Sequence, residues 1–377
     1  IKINIMKIGI ITMHKVLNYG SALQAYALQQ KLLLMGYENE LIDYEYPPAK
    51  KKKITISAII QTIIIFLRNA VAGFPTARKK KRFEEFYQSN FILSAASYNE
   101  QNIKDNPPMY DAYITGSDQV WNPRFAGTDP NFFLGFASSD KPKFSYASSF
   151  ATTKIDSELV PLYSKLLSEY DEISVRESTG ISIVKELTGK DATVCCDPTL
   201  LLTADEWRGL SDQSVFKLKE KYILVYILNY MIGNVSNEVQ KQIDYVQQTL
   251  GFKVVYLVGR KEDAFRPNSI LYKAGGPAEF IWLFRNAEFV ITTSFHGVAF
   301  SLIHDKPLLG IVDKSNKDDS RLQSLLVAVG AEQSCIDYRD IINFDKNHLL
   351  SLKCKTCKLD EMRQQSVKYM ERILSSL

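Results

Sequence analysis

Apolar residues recur along the chain in short runs separated by stretches of helical spacing. Residues 7–13 (KIGIITM) form one such run. After a polar loop, 21–35 carries apolar positions at helical spacing and stops at Gly36. Residues 40–44 (ELIDY) read as the next strand, so the chain opens as strand, loop, helix, strand. Later runs predict strands over 112–115, 144–147, 172–175 and 193–196, with helices over about 157–169 and 177–188. Asp197-Pro198 breaks the pattern. A second series follows: strand 222–228, helix 235–249, strand 253–258, helix 277–286, strand 288–293, helix 297–304 and strand 308–312. The stretch 358–376 is helical in pattern and is expected to pack back across the first part of the chain. Strands alternating with helices imply parallel sheets joined by right-handed crossovers.

At 377 residues the chain exceeds what one compact core normally holds, roughly 250–300 residues. The expected fold is α/β, two Rossmann-like domains with parallel sheets facing a central cleft. The divisions are 1–205 for the first domain, 206–345 for the second and 346–377 for a C-terminal helix. Hydrophobic residues make up 46% of the chain and charged ones 23%, an ordinary balance for a water-soluble protein. The net charge of +4 is too small to argue for nucleic acid as a partner. Five cysteines fit a reducing compartment better than a disulfide scaffold. Cys354 and Cys357 form a CxxC with neither a second pair nor nearby histidines, so no metal is expected. The first residues, IKINIMKIGIITM, lack the architecture of a secretory leader, and a cytoplasmic location is expected.

Candidate chemistry gathers at predicted strand ends, where ligands bind in open parallel sheets. The chain has only four histidines, and His296 lies just after the apolar run FVITT. Gly297 would open a helix whose free N–H groups favour an anion; capping a helix or satisfying a buried carbonyl is the bland alternative. In NYGSALQAYAL, residues Asn18, Tyr19, Gly20 and Ser21 stand at a strand-to-helix junction. That stretch is not GxGxxG and predicts no dinucleotide. YITGSDQVWNP ends a strand at Gly116, Ser117 and Asp118, with Trp121 following; a turn closed by an Asx hydrogen bond explains it equally.

Taken in order, NYGSALQAYAL, YITGSDQVWNP, FSYASSF, ISVRESTG, CCDPTLLL and TTSFHGVAFSLIHDKPLLGI resemble the polysaccharide pyruvyl transferase family over about residues 7–330. The resemblance implies a GT-B-like pair of domains around a cleft. It also implies transfer of a carboxyethylidene (pyruvyl) group from phosphoenolpyruvate to a pair of sugar hydroxyls, forming a cyclic ketal. Phosphoenolpyruvate is then a co-substrate, and no bound cofactor is implied. Such chemistry must protonate an enol methylene and deprotonate hydroxyls, a task suited to the imidazole of His296. Arg176, in SVRE, matches the family's donor-binding arginine, and Arg321 recurs in similar proteins. Ser294, Phe295 and Gly297 fall on the donor side. Asn18, Tyr19, Gly20, Ser21, Gly116, Ser117, Asp118 and Trp121 fall on the acceptor or cleft side.

Characterised members carry arginine two residues before the histidine, and here that place holds Ser294. Either Arg176, Arg321 or Lys306 substitutes, aided by the hydroxyls of Thr292, Thr293 and Ser294, or the donor differs. Two other readings stay open: a GT-B-type glycosyltransferase using a nucleotide sugar, and a non-catalytic carbohydrate-binding relative. Residues 50–82 place an apolar stretch between basic clusters. Gln61, Arg68 and Asn69 interrupt it, which argues against a spanning helix. It is expected either to pack on the first domain or to lie on the inner membrane face, which would suit a lipid-linked oligosaccharide acceptor.

Overall fold

The computed structural model describes residues 6–46, 75–228, 236–258, 263, 265–315, 321–354 and 356–377. Of the 50–82 segment, residues 50–74 therefore lie outside the described residues, and 75–82 opens a helix.

The first sheet is built from β1 (Lys7–Ile11), which leads into α1 (Tyr19–Leu34), then β2 (Glu38–Tyr44). Next come α2 (Pro75–Asn90), β3 (Leu93–Tyr98), β4 (Ala112–Thr115) and β5 (Lys143–Ser145). Its strands are parallel, in the order β3-β2-β1-β4-β5. Beyond β5, α3 (Val160–Ser168), β6 (Ser174–Val175), α4 (Thr179–Thr188) and β7 (Thr193–Val194) prolong the layer. They join it by isolated bridges such as Phe144 with Glu172. The strand expected over 193–196 ends at Val194, and that expected over 172–175 is shortened for a local reason. Ser145 Oγ donates to the Ser174 carbonyl and accepts from the Ser174 N–H, both at 2.9 Å. Ser174 Oγ donates to the Ser145 carbonyl at 3.0 Å. Hydroxyls thus replace part of the backbone ladder, as serine side chains can.

The second sheet contains β8 (Tyr222–Tyr226), β9 (Lys253–Val258), β10 (Ser269–Leu271), β11 (Phe289–Thr292), β12 (Leu308–Val312) and β13 (Cys335–Asp337). Between them run α5 (Ser236–Leu250), α6 (Pro277–Asn286), α7 (Phe295–Ile303) and α8 (Arg321–Ala328). The strands are again parallel, ordered β10-β9-β8-β11-β12-β13.

Alternation along a strand sends side chains to opposite faces. In β8, Tyr222, Leu224 and Tyr226 face one cluster, and Ile223 and Val225 the other. The first cluster is continuous with the core beneath α1, so both sheets share it. Trp207, fully buried in the connection, packs on Tyr26 of α1 at 5.5 Å and Phe300 of α7 at 5.1 Å. The last helix, α9 (Thr356–Ser375), returns to the first sheet. There Tyr369 donates to the Ser145 carbonyl at 2.9 Å, and Ser366 Oγ accepts from the Cys196 N–H at 2.9 Å.

Both strand orders reverse direction once, between β1 and β4 in the first sheet and between β8 and β11 in the second. Such switch points leave a crevice at the carboxyl ends of the strands.

Candidate functional site

The two crevices face each other. Asn18 and Asp118, beyond β1 and β4, line one small recess together with Leu228, Ser294 and His296, beyond β8 and β11. His296 lies in the first turn of α7, and its ring rests on the backbone of Gly20. A Cβ added at Gly20 would stand 2.0 Å from His296 Nδ1, so only glycine admits the imidazole there. Asn18 shapes the same turn by accepting from the Gly20 N–H at 2.8 Å.

Behind the histidine lies a buried ionic cluster that the sequence patterns did not single out. Asp197, fully buried, puts Oδ2 3.5 Å from His296 Nε2. The same oxygen accepts from Arg176 Nη1 at 2.9 Å and from Ser117 Oγ at 3.2 Å. Oδ1 accepts from the Thr199 N–H and Oγ1. Burial alone would raise the pKa of this carboxyl, but the charges of His296 and Arg176 and the donors around it outweigh that. They hold it well below the usual carboxylate range, so Asp197 is an anion. In sequence Asp197-Pro198 reads as a breaker, and the Asp-Pro-Thr cap was the available signal.

Arg176 is buried between carboxylates. Its Nε lies 3.9 Å from Glu177 Oε2, and its guanidinium stacks on Phe295 with 4.6 Å to the ring centroid. Glu172, four residues before Arg176, pairs instead with Arg372. Arg176 Nε and Nη2 and Glu177 Oε2 are buried without a hydrogen-bond partner. Arg176, Glu177, Asp197, Phe295, Arg321 and Lys358 line a cavity of about 310 Å³; the recess at His296 is about 40 Å³. Phe295 and Arg321 border both.

Several expected site residues take other places. Trp121 is fully buried, stacked on Phe133 at 5.5 Å with Nε1 donating to the Phe132 carbonyl, and belongs to the first domain's core rather than the cleft. Tyr19 is buried in the seam, stacked on Phe280 at 4.7 Å and donating to the Gly275 carbonyl at 2.8 Å. Gly116 packs on Thr12. Ser294 caps α7, its Oγ accepting from the Gly297 N–H at 3.3 Å, so that N–H is already engaged. Gly297 serves close packing: a Cβ there would stand 2.2 Å from Thr292 Oγ1. Lys306 lines neither cavity. Ser21 donates to Asp118 Oδ2 at 2.5 Å. Among the described residues no group of three or more His, Cys, Asp and Glu gathers as a metal-binding set. No described helix is long and apolar enough to cross a membrane. Cys354 is a free thiol, and the Cys357 side chain lies outside those described.

The family model for polysaccharide pyruvyl transferase matches residues 18–315, most of the chain and every residue of the His296 recess except Arg321. The chain belongs to the polysaccharide pyruvyl transferase family. No curated protein matches its sequence. Among solved structures, this family member is similar to the UDP-GlcNAc 2-epimerase of Methanocaldococcus jannaschii in complex with UDP-GlcNAc and UDP. The TM-score is 0.54 at 12% identity, covering 99% of this chain and 100% of that one. A putative UDP-N-acetylglucosamine 2-epimerase from Listeria monocytogenes gives a TM-score of 0.52 at 12% identity, covering 96% of this chain and 90% of that one. Identities this low show the fold alone. This member of the family has the GT-B architecture of paired Rossmann-like domains.

Proposed function

We propose that the chain transfers the pyruvyl group of phosphoenolpyruvate to a hydroxyl pair on a sugar of a polysaccharide or its lipid-linked precursor. The observation that carries this reading is His296, seated at facing switch points with Asp197 and Arg176 behind it. In the balanced reaction, one acceptor proton ends on the donor's methylene, which becomes a methyl group. The other leaves with phosphate. Two C–O bonds form at the donor's central carbon, and its alkene π bond and C–O bond to phosphate are lost. His296 delivers the proton to the methylene, and Asp197 stabilises the imidazolium. The donor's anionic groups call for cations, and Arg176, Arg321 and Lys358 border the larger cavity. They stand in for the family arginine whose place Ser294 occupies as a helix cap.

Thermal shift and phosphate release test the reading on the full chain. Phosphoenolpyruvate is expected to raise the melting temperature, and UDP-GlcNAc to leave it unchanged. His296→Gln should lower phosphate release in the presence of a sugar acceptor by roughly 10²- to 10⁴-fold, with the melting temperature retained. Stabilisation by UDP-GlcNAc alone would instead favour a nucleotide-sugar glycosyltransferase.

A further inference from the structure

Ketal formation needs a base for the attacking hydroxyl as well as an acid for the methylene. Asp197 cannot be that base, since both its oxygens are filled by donors within the protein. A second carboxylate, Asp118, lines the recess with His296. Asp118 is only 7% exposed; the charge of Arg176 reaches it, but no ion pair within 4 Å joins it to another described residue. Its φ of +70° lies in the left-handed region, unusual for a residue with a side chain and tolerated at sites held by their surroundings. The surroundings here are explicit. Its carbonyl accepts from the Ser149 N–H at 3.0 Å, and its Oδ2 accepts from Ser21 Oγ at 2.5 Å. Ser21 stands in the turn of α1 that seats the imidazole through Gly20. Oδ1 is left without a hydrogen bond among the described residues. One oxygen is therefore anchored, and the other is available beside His296.

Resting on the pyruvyl-transfer reading, we infer that Asp118 is the catalytic base that deprotonates the acceptor hydroxyl, and that Ser21 positions it. The hydroxyl proton passes to Asp118 Oδ1 as the hydroxyl oxygen bonds to the donor's central carbon. That proton then departs with phosphate as its C–O bond breaks. The second hydroxyl's proton returns to His296, which had given its own to the methylene. This division of labour also assigns the acceptor to the β1/β4 side of the recess.

The test uses the full chain with Asp118→Asn, a near-isosteric change that suits the left-handed backbone and can still accept from Ser21. Phosphate release from phosphoenolpyruvate is followed with p-nitrophenyl β-glycosides of galactose, glucose and N-acetylmannosamine as acceptor probes. The thermal shift with phosphoenolpyruvate alone reports donor binding. Asp118→Asn should keep the thermal shift, lose roughly 10²- to 10⁴-fold in kcat, and lose the acid limb of the kcat/KM–pH profile. Asp118→Glu should recover part of the rate. Ser21→Ala, which keeps the carboxylate, should lose about tenfold and retain the limb. Asp118→Asn and Ser21→Ala turning over within about threefold of the wild type would overturn the assignment while leaving pyruvyl transfer intact. So would loss of donor binding in both variants, which marks a structural role. A wild-type chain that neither binds phosphoenolpyruvate nor releases phosphate with any probe removes the pyruvyl-transfer reading first, and this assignment with it.

Discussion

Asp197 accepts hydrogen bonds at both oxygens, and the imidazole of His296 stands 3.5 Å from Oδ2 rather than locked into a short bond. Such a histidine keeps its direction yet can still exchange a proton. Its other support is the missing side chain of Gly20. Glycine inside a helix is ordinarily about 0.5–1 kcal/mol worse than alanine, so Gly20→Ala would stabilise a typical helix. Here the added Cβ falls 2.0 Å from His296 Nδ1 and must push the ring away. Gly20→Ala is expected to reduce phosphate release at least as much as Ser21→Ala does, with no gain in melting temperature. A more stable and fully active Gly20→Ala would show that the imidazole does not work from this seat. The sequence showed His296 at a strand end and Arg176 after a short strand, since both lie beside apolar runs. It did not show Asp197 between them. Only its capping of Thr199 is local, and its two charged partners come from α7 and from the end of β6. Trp121 and Tyr19 were misplaced because an aromatic beside a polar turn reads alike whether it faces a cleft or a core.

Helix α7 carries two histidines of opposite character. His296 stands in its first turn, and His304 is the residue that ends it. Burial, followed by the nearby charges of Lys306 and Arg285, pushes His304 down to about 3 from 6.5, so it is neutral at pH 7. The unfolded chain binds this proton below about 6.5, whereas the folded chain resists until about 3. Stability therefore falls as pH drops through that window. Asp197 adds a loss at lower pH, beginning near the unfolded carboxyl value of 3.8. The urea midpoint should consequently decline between pH 7 and pH 5, and His304→Leu should flatten that decline. An equal slope in wild type and variant would locate the acid sensitivity elsewhere. At this scale most helices and most strands of the doubly alternating pattern were legible, but α8 and the part of α2 beyond residue 82 were not among the elements expected. Nor were β3, β10 and β13. Ser269–Leu271 and Cys335–Asp337 are too short to show a period, and Leu93–Tyr98 (LSAASY) has only small residues between its ends and so no apolar alternation. The β5–β6 junction departs from the expected boundaries because serine hydroxyls do part of the pairing there.

The two sheets form one body through a shared apolar layer. Tyr19, Leu23 and Leu28 of α1 meet Phe280 and Phe284 of α6 and Phe300 of α7 within a single cluster. Arg82 of α2 crosses the seam to the Tyr272 hydroxyl and the Ala274 carbonyl, both at 2.6 Å. Two parallel sheets could be read from the sequence, since alternating strand and helix signals suffice for that. How the sheets face each other could not, because it depends on aromatic contacts between residues hundreds of positions apart. Trp207 concentrates that dependence. It touches α1 and α7 together, and its Nε1 donates to the Thr199 carbonyl two residues beyond Asp197, at 3.2 Å. Trp207→Ala removes the ring and leaves a cavity, which should cost about 3–5 kcal/mol. Because the cluster is continuous, wild-type unfolding followed by far-UV circular dichroism and by tryptophan fluorescence should give coincident transitions. Trp207→Ala should bring the circular-dichroism midpoint down by an amount matching that cost. Two separate transitions already in the wild type would mean that each sheet folds on its own and that the seam, with the His296 site across it, is held more loosely than its packing implies.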